Sequence, residues 1–259
     1  MKKIIALLLC LMLVAVAAFA VAEGESDKAY VLGKGTLIVG ITDFEPMDYK
    51  NEAGEWIGFD ADLAVAFANY LGVKVEFQEI DWDNKIFELN GKNIDCVWNG
   101  MTLTDEVLSA MTCSKPYMNN AQIVVMRADK IADYATVESL SSLVFAVEAG
   151  SAGEAEVNAL GYQVNAVQNQ AAALMEVKAG TSDAAVIDAL MAAAMVGEGT
   201  SYADLAYSLP LNEEQYGVGF RTGSDLAAEL DAFLAASAAD GTLQKVAETY
   251  KVQAAIVTE

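Results

Sequence analysis

Apolar positions along this chain fall into two alternating patterns. Short continuous apolar runs at 36–41, 94–98, 121–127, 143–148, 184–187 and 216–221 read as buried strands, and the alternation over 73–79 reads as a half-buried one. Between them lie stretches with helical spacing. In 60–72 the residues Leu63, Ala64, Phe67, Tyr70 and Leu71 fall on one face, Asp60 stands where an N-cap belongs and Gly72 supplies a left-handed stop. The same spacing predicts helices over 84–92, 104–111, 151–160, 170–179 and 190–196. Two amphipathic helices, 226–239 and 243–250, close the chain, separated by the turn Asp240-Gly241. Residues 23–34 read as a flexible leader. Strand and helix in alternation imply parallel sheets covered by helices. Two such runs, joined by extended segments, predict two α/β lobes with a cleft between them. No repeat of 20–50 residues interrupts the pattern.

The start of the chain has a different character. Lys2 and Lys3 precede an apolar run over 4–22 that ends in small residues, Ala18-Phe19-Ala20-Val21-Ala22, before Glu23-Gly24-Glu25 breaks it. A basic start, an apolar middle and an A-x-A end describe a secretory signal peptide spanning 1–22, cleaved near Ala22. The alternative is an uncleaved membrane anchor. Cys10 follows Leu9 in mid-run, where a lipidated cysteine is not expected, so lipidation is disfavoured. The expected location is secreted or extracytoplasmic, in a periplasm or at the outer face of a cell membrane. Export permits a disulfide between Cys96 and Cys113. The apolar run around Cys96 favours a buried free thiol instead. The sequence leaves both open.

Composition narrows the chemistry. The chain has 259 residues, 54% apolar, with a formal charge of −22. That length can bury a sizeable core. Strong acidity opposes nucleic acid or an anionic membrane as the main partner, because both need basic patches. There is no histidine, which removes His-based acid/base catalysis, Ser-His and Cys-His nucleophile pairs and most zinc or haem sites. No metal or cofactor is expected. Only two arginines exist, Arg127 and Arg221, although arginine is the preferred bidentate partner of carboxylates.

Several short motifs follow one another in a telling order. Gly58-Phe59-Asp60-Ala61-Asp62-Leu63 is followed by Asp81-Trp82-Asp83, then by Asn99-Gly100-Met101-Thr102-Leu103-Thr104. Ala149-Gly150-Ser151, Ser182-Asp183-Ala184-Ala185-Val186-Ile187-Asp188 and Asp240-Gly241-Thr242-Leu243 complete the series. Over 35–251 the chain resembles the extracellular solute-binding proteins of polar amino-acid ABC importers, solute-binding family 3. The resemblance implies a two-lobed, periplasmic-binding-protein-like (type II) fold: two mainly parallel sheets covered by helices, with a hinge between the lobes. Lobe 1 would comprise 35–124 plus 215–259, lobe 2 125–214, and the strands 121–127 and 216–221 would lie at the crossings. Closure about such a hinge is how such proteins respond to ligand.

Candidate binding residues follow from the needs of an amino-acid ligand, whose charges cannot be buried unpaired. Asp188 ends an apolar strand, a position that faces the ligand crevice in α/β sheets. By resemblance it pairs with the ligand's ammonium; the alternative is that it caps the next helix. Also by resemblance, Trp82 and Phe44 sandwich the ligand side chain, through apolar packing and, for a cationic ligand, cation–π attraction. Asn99, Gly100 and Thr102 form a turn before a helix, where a hydroxyl and backbone amides can meet a carboxylate. Ser151 and Gly153 could do the same from the other lobe, or Ser151 could only cap its helix. Asp43, near Pro46, is a further candidate. Asp60 and Asp62, two residues apart, do not share a helix face and read as a cap and a first-turn charge.

One departure stands out. Family members that bind α-amino acids place an arginine five residues after the threonine of this turn, and here that residue is Val107. Either backbone amides, Thr102 and Ser151 hold a carboxylate, or the ligand has none there. The expectation is a binding component that captures a small polar, cationic or zwitterionic amino acid or amine and delivers it, as a monomer, to an ABC permease. The alternatives are a sensing module acting in trans, or an enzyme on the same scaffold, as a few dehydratases are. No nucleophile–base pair is legible, so no enzymatic activity is expected.

Overall fold

The apolar run Thr36–Ile41 becomes β1 because its side chains are covered on both faces: Leu37, Val39 and Ile41 are fully buried. In the computed structural model, which describes residues 26–257, β1 lies inside a sheet between β4 (Lys74–Glu79) and β5 (Cys96–Thr102), parallel to both. The chain leaves β1 through α2 (Phe59–Leu71), forms β4 on one side, then passes through α3 (Lys85–Asn90) to β5 on the other. A small hairpin, β2 (Tyr49–Lys50) with β3 (Trp56–Ile57), precedes α2.

The second sheet repeats this plan. β9 (Val144–Glu148) is flanked by β10 (Gln163–Val167) and β11 (Ala184–Asp188), both parallel to it, with α5 (Ala152–Ala159) and α6 (Gln170–Ala179) as crossovers. After β11 comes α7 (Ala189–Met195). Each sheet also has an antiparallel half. β8 (Gln122–Arg127) pairs antiparallel with β11 and with β12 (Leu205–Pro210). β13 (Glu214–Phe220) pairs antiparallel with β5, β6 (Thr112–Cys113) and β7 (Met118–Asn120). The chain passes from the first sheet to the second between Asn120 and Gln122 and returns between Pro210 and Glu214. Strands that enter a sheet from such a crossing run against their neighbours.

α4 (Asp105–Ala110), α8 (Leu226–Ala239) and α9 (Thr242–Thr249) complete the helices of the first unit. Phe59, Leu63 and Phe67 of α2 pack with Trp98, Phe220 and Leu230 in its core, all fully buried. Each such side chain contributes about 1.5–3 kcal/mol on burial.

Two expectations need correction, and one strand was not foreseen. Residues 23–34 were expected to be a flexible leader, but 27–34 form a helix, α1 (Asp27–Lys34). The Ser26 hydroxyl accepts the Ala29 N–H, and Gly35 closes α1 at φ 74°. Arg221 holds α1 down, its Nε 2.9 Å from Asp27 Oδ1. Asp60 is not a cap: Gly58 occupies that position, and Asp60 turns inward, fully buried. β12 was missed because it is an edge strand whose mixed burial leaves little apolar pattern. Cys96 and Cys113 are both free thiols, Cys96 buried. The signal peptide and Cys10 lie outside the described residues. No helix among those residues is long and apolar enough to cross a membrane.

Candidate functional site

Topology says where to look. In each sheet the chain moves from the central strand to one side and then to the other, so a crevice opens at the carboxyl ends of β1 and β5 and at those of β9 and β11. The two crevices face each other. Between them is a cavity of about 230 Å³, the scale of a ligand smaller than most drugs.

From the first unit, Phe44, Trp82, Lys85, Asn99, Gly100, Thr102 and Val107 reach this cavity; from the second, Gln122, Glu148, Ser151, Ala152, Gln170 and Asp188 do. Seven sequence-selected residues are thus brought together: Phe44, Trp82, Asn99, Gly100, Thr102, Ser151 and Asp188. Asp43 and Gly153 are not among the lining residues. Asp43 is exposed. Gly153 serves close packing instead: a Cβ there would lie 2.8 Å from Gln122 Oε1 and 3.0 Å from the Val186 carbonyl.

Several of these groups already have partners. Asn99 Oδ1 accepts the Thr42 N–H at 2.7 Å and its Nδ2 donates to the Thr42 hydroxyl at 3.0 Å. The Gly100 N–H, expected to face ligand, donates to Asp60 Oδ2 at 2.6 Å. Gly100 has φ 54°, and a Cβ would come within 2.4 Å of the Phe44 ring, so the glycine makes room for that ring. Phe44 in turn meets Tyr216 edge-on, centroids 6.4 Å apart. The Thr102 hydroxyl donates to Glu214 Oε1 at 2.9 Å, and Ser151 caps α5 by accepting the Glu154 N–H at 3.0 Å.

Asp188 sits at the centre of a buried polar network. Its Oδ1 accepts from Asn120 Nδ2, from Gln122 Nε2 at 3.2 Å and from the Tyr216 hydroxyl at 2.6 Å; its Oδ2 accepts from Gln170 Nε2. Asn120 and Gln122 also donate to Glu214 Oε1, at 2.6 and 2.9 Å. Asp188 makes no side-chain cap to α7. Burial, and then the neighbouring Glu214 charge, push the Asp188 carboxyl up to about 8.

Two charged residues were missed from the sequence. Glu148 ends β9 as Asp188 ends β11; it is 3% exposed and its Oε1 has no hydrogen-bond partner. Burial and the Asp188 charge raise it to about 8. Lys85 opens α3, donates to the Gly150 carbonyl at 2.9 Å and the Trp82 carbonyl at 3.3 Å, and lies 5.0 Å over the Trp82 ring. Burial lowers its pKa, opposed by Glu106, Glu148, Asp83 and Glu154. The Lys85–Gly150 bond links the two units, as does the contact of Gly150 with Asp83. The signal for Glu148 was the one that singled out Asp188, an acid at the end of an apolar run. Lys85 gave none, being a lysine within a helical pattern.

Neither arginine is near. Arg221 is buried against Asp27 and Asp95, and Arg127 makes pairs with Asp129 and Asp204. Around the cavity, acids (Asp105, Glu106, Glu148, Asp188) outnumber the single cation, Lys85. No group of residues suited to hold a metal ion occurs among the described residues.

Paired α/β units closing over a small polar cavity define a protein that encloses a solute. The chain belongs to the bacterial extracellular solute-binding proteins, family 3, whose profile matches residues 37–253. It is 26% identical over 250 residues to the L-cystine-binding protein TcyJ of Escherichia coli, covering 92% of this chain and 94% of that protein. It is 28% identical over 232 residues to the arginine-binding extracellular protein ArtP of Bacillus subtilis, covering 86% and 89%. The crystal structure of an ABC uptake transporter substrate-binding protein from Streptococcus pneumoniae with bound histidine superposes with a TM-score of 0.80 at 27% identity. That match covers 87% of this chain and 96% of the other.

Proposed function

We propose that this protein is the extracytoplasmic capture component of an ABC importer, and that it closes two lobes on a small cationic or zwitterionic amino acid or amine. The lobes divide at the two crossings, the first holding the chain up to Asn120 and from Glu214 onward and the second Gln122–Pro210, rather than at 124/125 and 214/215. The observation that carries this reading is the excess of buried carboxylate around an aromatic-lined cavity with no guanidinium. Asp188 takes the ligand's positive nitrogen. Room for it comes from Asn120 and Gln122, which keep Glu214 as an acceptor when either releases Asp188. Phe44 and Trp82 pack on the ligand's apolar part.

The arginine-binding relative supports a cationic solute, and the histidine-bound and cystine-binding ones support a zwitterionic one. A permease is the partner, the protein acts as a monomer, and the first 22 residues direct export. Turnover is not expected. Mass spectrometry of the small molecule that co-purifies with the exported protein tests the reading. A cationic amine or amino acid is the expected finding, recovered chemically unchanged by NMR after incubation. An acidic solute, or a product, would overturn it.

A further inference from the structure

A carboxylate entering the cavity would need hydrogen-bond donors, and the charged and amide donors there are already engaged. Asn120 and Gln122 each donate to both Asp188 and Glu214, and Gln170 donates to Asp188. The Asn99 amide donates to the Thr42 hydroxyl, and the Gly100 N–H to Asp60. Lys85, the one cation of the lining, gives its ammonium to the Gly150 and Trp82 carbonyls. It also stands among four acids, Asp83, Glu106, Glu148 and Glu154, so its charge is balanced within the protein.

The helix starts at the cavity carry carboxylates of their own. α4 opens with Asp105 and Glu106, both in the lining. α5 opens behind Gly150 and Ser151, and there Glu154 Oε2 accepts the Gly150 N–H at 2.7 Å. The partial positive charge of a helix's first turn, the usual attraction for an anion, is met in both by a side chain of the same helix. The capping hydroxyls of Thr104 and Ser151 remain; both are neutral and both lie beside these acids. A solute carboxylate would therefore be buried among acids, opposite a cation engaged elsewhere, and such burial is costly. An ammonium meets the reverse conditions. We infer that the solute is an amine that carries no carboxylate. The inference rests on the reading of Asp188 given above and narrows it, from an amino acid or an amine to an amine alone.

Isothermal titration calorimetry on the exported protein tests it with three matched pairs, each an amine and the amino acid that exceeds it by one carboxylate. The pairs are cadaverine and lysine, agmatine and arginine, and histamine and histidine. The tightest binder of the six is expected to be an amine, about 10-fold or more tighter than its amino acid, as burial of an unpaired charge implies. Glu154→Gln keeps an acceptor for the Gly150 N–H and removes the charge, so it should narrow that gap by about 3-fold. A gap unchanged in Glu154→Gln overturns the part assigned to that carboxylate. An amino acid as the tightest binder overturns the inference and leaves the Asp188 reading intact. Failure of all six to bind the folded protein overturns both.

Discussion

Two groups of buried acids lie in this molecule's two units, and only one of them lines the cavity. In the first unit Asp48 and Asp60 are fully buried side by side; neither carboxylate oxygen of Asp48 has a hydrogen-bond partner, and burial raises both acids, Asp60 to about 7. In the second unit Asp188 and Glu148 are equally buried and raised to about 8. By burial and titration the two groups look alike. They differ in surroundings. Asp60 accepts the Tyr117 hydroxyl at 2.8 Å and the Gly100 N–H, and the pair lies behind the turn, outside the cavity lining. Asp188 and Glu148 line the cavity itself. A perturbed acid is therefore a site candidate only where a volume lies in front of it. Asp60 positions the turn, and the second pair is the one proposed to meet the solute.

Asp188→Asn should separate the groups most sharply. It removes the charge and places an amide among four donors, so affinity for a cationic solute should fall by about 100-fold or more, the roughly 3–5 kcal/mol cost of breaking a buried pair. Titration calorimetry with lysine or cadaverine measures it. Retained affinity would remove Asp188 from the site.

The shared titration of both groups gives a second test. Asp60, Asp188 and Glu148 are raised in the folded state, so between about pH 4 and 8 the folded protein holds protons that the unfolded chain has released. Their contribution to stability is present at low pH and lost as pH climbs through about 7 to 8. The unliganded protein should melt at a lower temperature at pH 8.5 than at pH 5.5. A cationic solute binds the ionised acids, so its affinity should rise over the same interval and its binding should release protons, read from the buffer dependence of the binding enthalpy. Parallel slopes for stability and affinity would contradict the assignment.

The fold was legible because its strands and helices carry strong apolar patterns. The helices over 170–179 and 226–239 coincide with α6 and α8. What escaped depends on partners distant in sequence. Asp60 carries a good capping side chain, yet a turn set by Gly58 draws it inward to Tyr117 and Gly100. α1 had its own cap in Ser26 and its own stop in Gly35, but its anchor, Arg221, comes from the far end of the chain. Seven of nine chosen site residues line the cavity, since strand ends and turns are where α/β crevices form. The resemblance drew attention to Asp188, and Glu148, with the same strand-end signal, was passed over. Lys85 is recognisable only once Gly150 stands opposite it.

Gly100→Ala probes the link between the two groups. A methyl at φ 54° and 2.4 Å from the buried Phe44 ring must move either the turn or the ring. The expected loss is about 1–3 kcal/mol of stability, read by denaturant melting, with weaker solute binding because Phe44 shifts. Unchanged stability would mean that the turn relaxes freely and that Asp60 does not hold it.

Asp48→Asn carries the smallest expected effect on binding and bears most directly on the contrast. Asp48 and Glu148 share burial and an unpartnered carboxylate oxygen. If those properties alone made a ligand group, Asp48→Asn would weaken solute binding as Asp188→Asn does. Asp48, however, faces Asp60 and not the cavity. Replacing it by asparagine removes one of the raised acids, so the loss of stability toward pH 8.5 should shrink. Solute affinity should stay within about 2-fold of wild type, since a site beyond contact couples weakly. A larger change in solute affinity in Asp48→Asn would show that the turn transmits the state of the first pair to the cavity, and would end the separation of the two groups.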